Sequence, residues 1–185
     1  MLFDNDYNEI EEKALALLEE VYGYISEIEV PVNLPKIIDY LGLRVLGLST
    51  HELDNLLPNS DKSDLSFEQY KTVAGMYDRG KKLIIYNSDQ NYSRVAFTIA
   101  HEIGHHVLHQ KLGKDYELLF RKDLFSYDNS EVSDIERAAN KFAACLLMPK
   151  YQFLEDIKHH NDEELAKLYG TSITATRVRR RHVKR

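Results

Sequence analysis

The segment His101-Glu102-Ile103-Gly104-His105 places the narrowest condition on how this chain of 185 residues can fold. Residues at i and i+4 share one face of an α-helix, so the two imidazoles converge only if the backbone here is helical. The flanking residues agree: Ala96, Ile99, Ala100, Ile103, Val107 and Leu108 recur at the spacing of an apolar helical stripe, with a start expected near Asn91 or Ser93. The rest of the fold must be built around this helix and must bring other side chains to its imidazole face.

The segment matches H-E-x-x-H. His101 and His105 are candidate metal ligands. Glu102 projects from the neighbouring angle, where it could reach a metal-bound water without replacing a ligand. Zinc held in this way lowers the pKa of its water towards ~7, and a carboxylate can then remove the proton. His109 lies eight residues beyond His101, or ~12 Å along a helix axis, whereas two ligands of one zinc stand only ~4 Å apart. His109 is therefore read as a packing or supporting residue. His106 points about 100° away from His105 and is expected to be exposed.

A catalytic zinc has three protein ligands and an open position. The first candidate for the third is Glu136, at the start of Glu136-Arg137-Ala138-Ala139-Asn140-Lys141-Phe142-Ala143-Ala144. Ala138 and Ala139 would let two helices approach closely, and Asn140 could orient a metal-binding histidine. The same stretch, Ser133-Asp134-Ile135-Glu136, also fits the S-x-x-E capping box. From the residues alone the ligand and the cap stand even, and Glu131, Asp134 and His51 are rival ligands.

Along the rest of the chain, helices are expected over 9–22, after Asn33 with Pro35 in the first turn, over 133–147, over 150–158, and on either side of a turn at Gly170-Thr171-Ser172. Leu43–Leu48 reads as a strand. Val73–Tyr77 and Leu83–Tyr86 read as a hairpin turning at Asp78-Arg79-Gly80. Residues 49–70 are polar and read as an irregular surface excursion, and 113–130 as loop with short helix. Strand 83–87 is a candidate for pairing with an extended substrate. Tyr127, Tyr86 and Arg94 are candidate oxyanion stabilisers.

One cysteine excludes an intrachain disulfide, and the apolar setting of Cys145 makes it a packed small hydrophobe. No basic leader and no run of ~20 apolar residues is present, so a soluble, cytoplasmic protein without membrane contact is expected. The net charge of −6 is uneven. Residues 176–185 hold Arg177, Arg179, Arg180, Arg181, Lys184 and Arg185, while all 30 acidic residues lie elsewhere. Such an end could bind nucleic acid; the favoured reading is a solvated segment or one folded back on the acidic body.

Taken together, the run Arg94–His109, the run Glu136–Pro149, the strand ending in Asn87 and the segment Leu165–Ser172 resemble the ImmA/IrrE family of metallo-endopeptidases. The resemblance covers roughly residues 73–181. It implies His101, His105 and Glu136 as ligands of zinc, with manganese as the alternative ion, and Glu102 as catalytic base. It also implies an α+β fold: a mainly helical, minimal gluzincin-like metallopeptidase domain over 1–160 with its core near 73–150. A small antiparallel sheet and a helix-turn-helix-like segment over 161–185 complete it. The implied partner is a protein substrate of the helix-turn-helix repressor kind, as found with phage or mobile elements. The competing expectation is a regulator that binds DNA or a repressor without catalysis, or a toxin–antitoxin component, with a structural or vestigial metal site.

Overall fold

The computed structural model describes residues 7–56, 74–108 and 130–183. Helix α1 (Tyr7–Tyr22) buries Ile10, Ala14, Leu17 and Leu18 at helical spacing. Helix α2 (Leu34–Leu41) is bounded by its own sequence. The Asn33 side chain accepts from Lys36 N, Pro35 occupies the first turn, and Gly42 takes the left-handed conformation (φ 63°) that closes the helix. Strand β1 (Arg44–Leu48) follows.

Ser49 and Glu52 then cap helix α3 (Thr50–Leu56) reciprocally. Ser49 N donates to Glu52 Oε2 at 2.8 Å, and Glu52 N donates to Ser49 Oγ at 3.3 Å. The expected irregular excursion thus begins with a helix; residues 57–70 lie outside the described residues.

Strands β2 (Gly75–Asp78) and β3 (Leu83–Asn87) form the expected antiparallel hairpin, with Gly75 opposite Tyr86 and Tyr77 opposite Ile84. β1 joins it on the other side, parallel to β3, with Arg44 opposite Leu83 and Leu48 opposite Asn87. The sheet is therefore mixed, in the order β1-β3-β2, and not purely antiparallel. The pair is parallel because β2 begins at the end of the sheet where β1 finishes and runs back, so the hairpin returns β3 beside β1 in the same direction. This order also corrects the reading of β3 as a docking edge: both of its edges are already paired.

Helix α4 (Tyr92–Leu108) is capped by Asn91, whose side chain accepts from Arg94 N at 3.0 Å. It packs on β2 and β3 with one side and on helix α5 (Ser130–Leu147) with the other; α1 covers α5 in turn. The core runs through this stack, with Leu18, Ile37, Ile84, Ala100, Ile103, Phe142 and Leu146 all fully or almost fully buried.

A smaller cluster forms where the end of α5 meets α6 (Lys150–Asp156), α7 (Asp162–Leu168) and α8 (Ile173–Val183). It contains Met148, Phe153, Leu165, Tyr169 and Val183. Gly170 (φ 63°) makes the turn between α7 and α8. No helix among the described residues is long and apolar enough to cross a membrane.

Three arginines of the basic end are held by the body it follows. Arg179 is completely buried. Its Nε donates to Met148 O at 3.0 Å, Nη1 to Tyr7 Oη at 2.9 Å, and Nη2 to Glu11 Oε1. Arg177 and Arg180 both pair with Asp162, at 3.1 and 2.8 Å. Arg181 remains exposed, and Lys184 and Arg185 lie outside the described residues.

Candidate metal centre

The middle of α4 places His101 and His105 one turn apart on the side facing α5, and their Nε2 atoms stand 2.9 Å from each other. Glu136, on α5, faces both: Oε2 is 3.1 Å from His101 Nε2 and Oε1 is 3.2 Å from His105 Nε2. The three donor atoms lie within 4.8 Å of one another. Ser133 is inside α5, which begins at Ser130, so the fourth residue of a cap starting at Ser133 is not the position Glu136 occupies.

What allows the meeting is a close approach of backbones. A Cβ built on Gly104 would stand 3.2 Å from both Cα and O of Ala139, so α4 and α5 touch at a glycine against an alanine. Gly104 is one of the two unspecified residues of H-E-x-x-H, and its smallness was the available signal.

The donor set suits a divalent ion. Two tetrahedral ligands of zinc at about 2.0–2.1 Å would be roughly 3.3 Å apart, close to the 2.9–3.2 Å separations here. Asn140 Oδ1 lies 3.0 Å from His101 Nδ1. Since an amide oxygen only accepts, Nδ1 donates to it, and Nε2 is the nitrogen turned to the cluster, whose lone pair would hold an ion once that nitrogen is deprotonated. The histidine side chains are 15% and 9% exposed and that of Glu136 is 36% exposed, so the cluster is reached from the Glu136 side.

Glu102 is buried on the neighbouring face, beneath β2. A Cβ on Gly75 would lie 3.6 Å from Glu102 Oε1 and only 2.4 Å from Thr98 Cγ2, so Gly75 lets the strand pass over the carboxylate. Burial raises the Glu102 carboxyl, and the opposing pull of His101 and His105 does not cancel it. Glu136 goes the other way. Burial would raise it, but the hydrogen bonds from His101 and His105 and their charges together hold it well below the usual carboxylate range. His101 is opposed by burial and raised overall by Glu136, Glu102 and Asn140.

The remaining candidates are elsewhere. Asn87 is buried and donates to Thr50 Oγ1 at 3.0 Å while accepting from Asp89 N at 2.9 Å, so it ties the end of β3 to the start of α3. Tyr86 lies across β1, its hydroxyl 2.8 Å from where a Cβ on Gly47 would be. Arg94 is exposed, about two turns before His101 on α4. Among the rival ligands, His51 is exposed on α3 with Nδ1 3.3 Å from Asn55 Nδ2, and Asp134 pairs with Arg137. Neither belongs to the three-residue group. The Glu131 side chain, Tyr127 and His109 lie outside what is described. His106, expected in solvent, is half-buried: its Nδ1 is 2.6 Å from Tyr77 Oη, because β2 covers that side of α4. Tyr77 and Gly75 went unnoticed in the sequence, since nothing local marks which hairpin strand lies on the helix.

A family model described as the IrrE N-terminal-like domain, within peptidase family M78, matches residues 40–180. The phage phi105 protein named "Uncharacterized immunity region protein 2" is 36% identical over 75 residues, 40% of this chain and 43% of that protein. The "Radiation response metalloprotease IrrE" of Deinococcus deserti is 34% identical over 111 residues, 60% of this chain and 38% of that one. Its namesake in Deinococcus radiodurans is 30% identical over 135 residues, 66% and 40%. The chain therefore spans about two fifths of the length of each of these relatives. Among solved structures, a Mycobacterium tuberculosis transcriptional regulator is similar in fold, with a TM-score of 0.55 at 17% identity, covering 93% of this chain and 46% of that one.

Proposed function

Since this chain belongs to the ImmA/IrrE family, whose IrrE N-terminal-like domain it carries across most of its length, we propose that it is a metal-dependent endopeptidase. One observation carries the reading: two imidazoles and a carboxylate from separate helices converge within 4.8 Å, beside a buried glutamate. His101, His105 and Glu136 would hold the ion. Two nitrogens and one oxygen suit zinc, with manganese the alternative. When bound, such an ion acidifies water and polarises a carbonyl.

The residues of the chain do the rest. Asn140 fixes the His101 ring and tautomer. Glu102 takes a proton from the attacking water on a carboxylate oxygen and passes it to the leaving amine. Its burial, which raises the carboxyl, suits it to both halves of that transfer. β2, the strand that crosses Glu102, rather than the enclosed β3, is the edge along which an extended chain could run.

The substrate we infer is a helix-turn-helix transcriptional repressor in the cytoplasm, in keeping with the family resemblance and with an immunity-region relative. The helices α7 and α8 would accompany this peptidase unit as an attached segment. Glu102→Gln should retain the metal and cut a co-expressed repressor at least about 10²-fold more slowly. Cleavage by the variant at the parental rate, with metal content unchanged, would remove Glu102 from the mechanism.

A further inference from the structure

Strand β2, which crosses Glu102, is held in the sheet from one side. Among the described residues β3 pairs with a strand on each side, whereas β2 pairs with β3 alone. Its height above α4 is therefore not fixed by the sheet from both edges. Nor is it fixed at the crossing. A Cβ on Gly75 would stand 2.4 Å from Thr98 Cγ2 and 3.6 Å from Glu102 Oε1. That contact limits how near the strand can come, and Gly75 offers no side chain to keep it there. The grip lies one step along. Residues two apart in a strand share a face and stand ~6.8 Å apart, while residues four apart in a helix share a face and rise ~6 Å. Gly75 and Tyr77 therefore meet the side of α4 that carries Glu102 and His106, pair on pair. At the second pair Tyr77 Oη and His106 Nδ1 are 2.6 Å apart, hydrogen-bonded whichever tautomer the ring adopts, and the rings meet edge to face with centroids 5.5 Å apart. His106 is not one of the three residues grouped around the candidate ion, and the proposed proton transfer uses neither side chain.

We propose that Tyr77 and His106 are positioning residues for Glu102: their hydrogen bond keeps β2 against α4, and the strand so held keeps the carboxylate where it can reach a molecule on the ion. The inference rests on the peptidase reading above and assigns a task in it to two residues outside the metal group. A glutamate side chain has several rotamers, and it stays in one only while its surroundings exclude the others. Here the cover on one side of Glu102 is a strand with a free edge and a bare crossing, so the hold one helical turn away decides how well that cover stays closed. A proton-transferring group displaced by even about 1 Å loses much of its effect.

The test compares two small probes on the cobalt-loaded full chain, followed by visible absorption. Acetohydroxamate places its two oxygens on the ion and gives its acidic proton to a neighbouring carboxylate, so its affinity reads both the ion and the place of Glu102. Azide is an anion with no proton to give, and it reads the ion alone. Glu102→Gln sets the scale and should weaken acetohydroxamate about 10²-fold while sparing azide. Tyr77→Phe, which keeps the ring, and His106→Leu should each weaken acetohydroxamate about tenfold, with azide affinity and metal content unchanged. The double variant should lose no more than either single one. In the metal-free chain, amide hydrogen exchange over Gly75–Asp78 should quicken several-fold in both single variants. Parental acetohydroxamate affinity in Tyr77→Phe would overturn the assignment and leave Glu102 in its role. Equal weakening of both probes would overturn it too, because the pair would then support α4 as a whole. A Glu102→Gln variant that binds acetohydroxamate as tightly as the parent would instead remove the peptidase reading, and this inference with it.

Discussion

Glu102 and Glu136 are carboxylates within reach of the same two imidazoles, and their surroundings push them in opposite directions. Glu136 is hydrogen-bonded by both rings and stays ionised, while Glu102 sits under β2 with its carboxyl raised. If the first holds an ion and the second moves a proton, their substitutions should separate. Glu136→Gln should lower zinc affinity by about 10²-fold or more in a chelator competition, and Asn140→Ala, which leaves every donor atom in place, by about 10–100-fold. Equal affinities for parent and Glu136→Gln would remove Glu136 from the ligand set. A second residue-scale consequence concerns Cys145, buried on α5 with its thiol pushed up to about 11 by burial. The folded state keeps a proton that the unfolded chain loses from about pH 9, so stability is intact below pH 9 and falls as pH rises from there to about 11. The loss is on the order of 2–3 kcal/mol. Denaturant midpoints across that window should fall less steeply in Cys145→Ala, and the native thiol should resist a thiol reagent at pH 8.

At the scale of elements, the centre depends on how closely α4 and α5 approach. The contact of Gly104 with the backbone of Ala139 leaves no room for a Cβ without movement. Gly104→Val should hold the helices apart and withdraw Glu136 from His101 and His105. We expect a loss of about 1–3 kcal/mol in stability and a drop in zinc affinity of tenfold or more, with helical circular dichroism retained. Undiminished affinity would mean that the helices are free to adjust and that their spacing is not what assembles the cluster. Most helices were legible because their signals are local: Asn33, Pro35 and Gly42 around α2, the apolar stripe of α4, Gly170 after α7. The reciprocal cap of Ser49 and Glu52 is equally local, but the polar stretch after it carries no apolar stripe to mark a helix.

Across the whole molecule, Arg179 joins the last helix to the first. It reaches Tyr7 and Glu11 on α1 and Met148 beyond α5, with no side-chain surface in water. Arg179→Met should cost about 3–5 kcal/mol, because Glu11 is left buried with Lys150, at 3.7 Å, as its remaining cationic partner among the described residues. The double variant Glu11→Leu with Arg179→Met should recover much of the loss in urea denaturation. If the single variant is as stable as the parent, the network is not what holds α8. The same pairing reduces the charge α8 can offer to nucleic acid, as Arg179 is matched by Glu11 and Arg177 and Arg180 share Asp162.

The sequence by itself determined that His101 and His105 share a helical face, that Glu102 lies beside them, and that helices surround a short hairpin. These follow from spacing, caps and periodicity, which act within a few residues. The residues by themselves left Glu136 level with a helix cap, and only the family resemblance pointed to it as a ligand; tertiary structure decided that it faces the imidazoles, that β3 is enclosed by β1, and that β2 crosses Glu102. It also decided that Arg179 ends up inside the molecule and that Arg177 and Arg180 pair with Asp162. Each of these concerns residues far apart in the chain, whose meeting is set by how buried surfaces fit and which charges lose their water, and no local pattern encodes that.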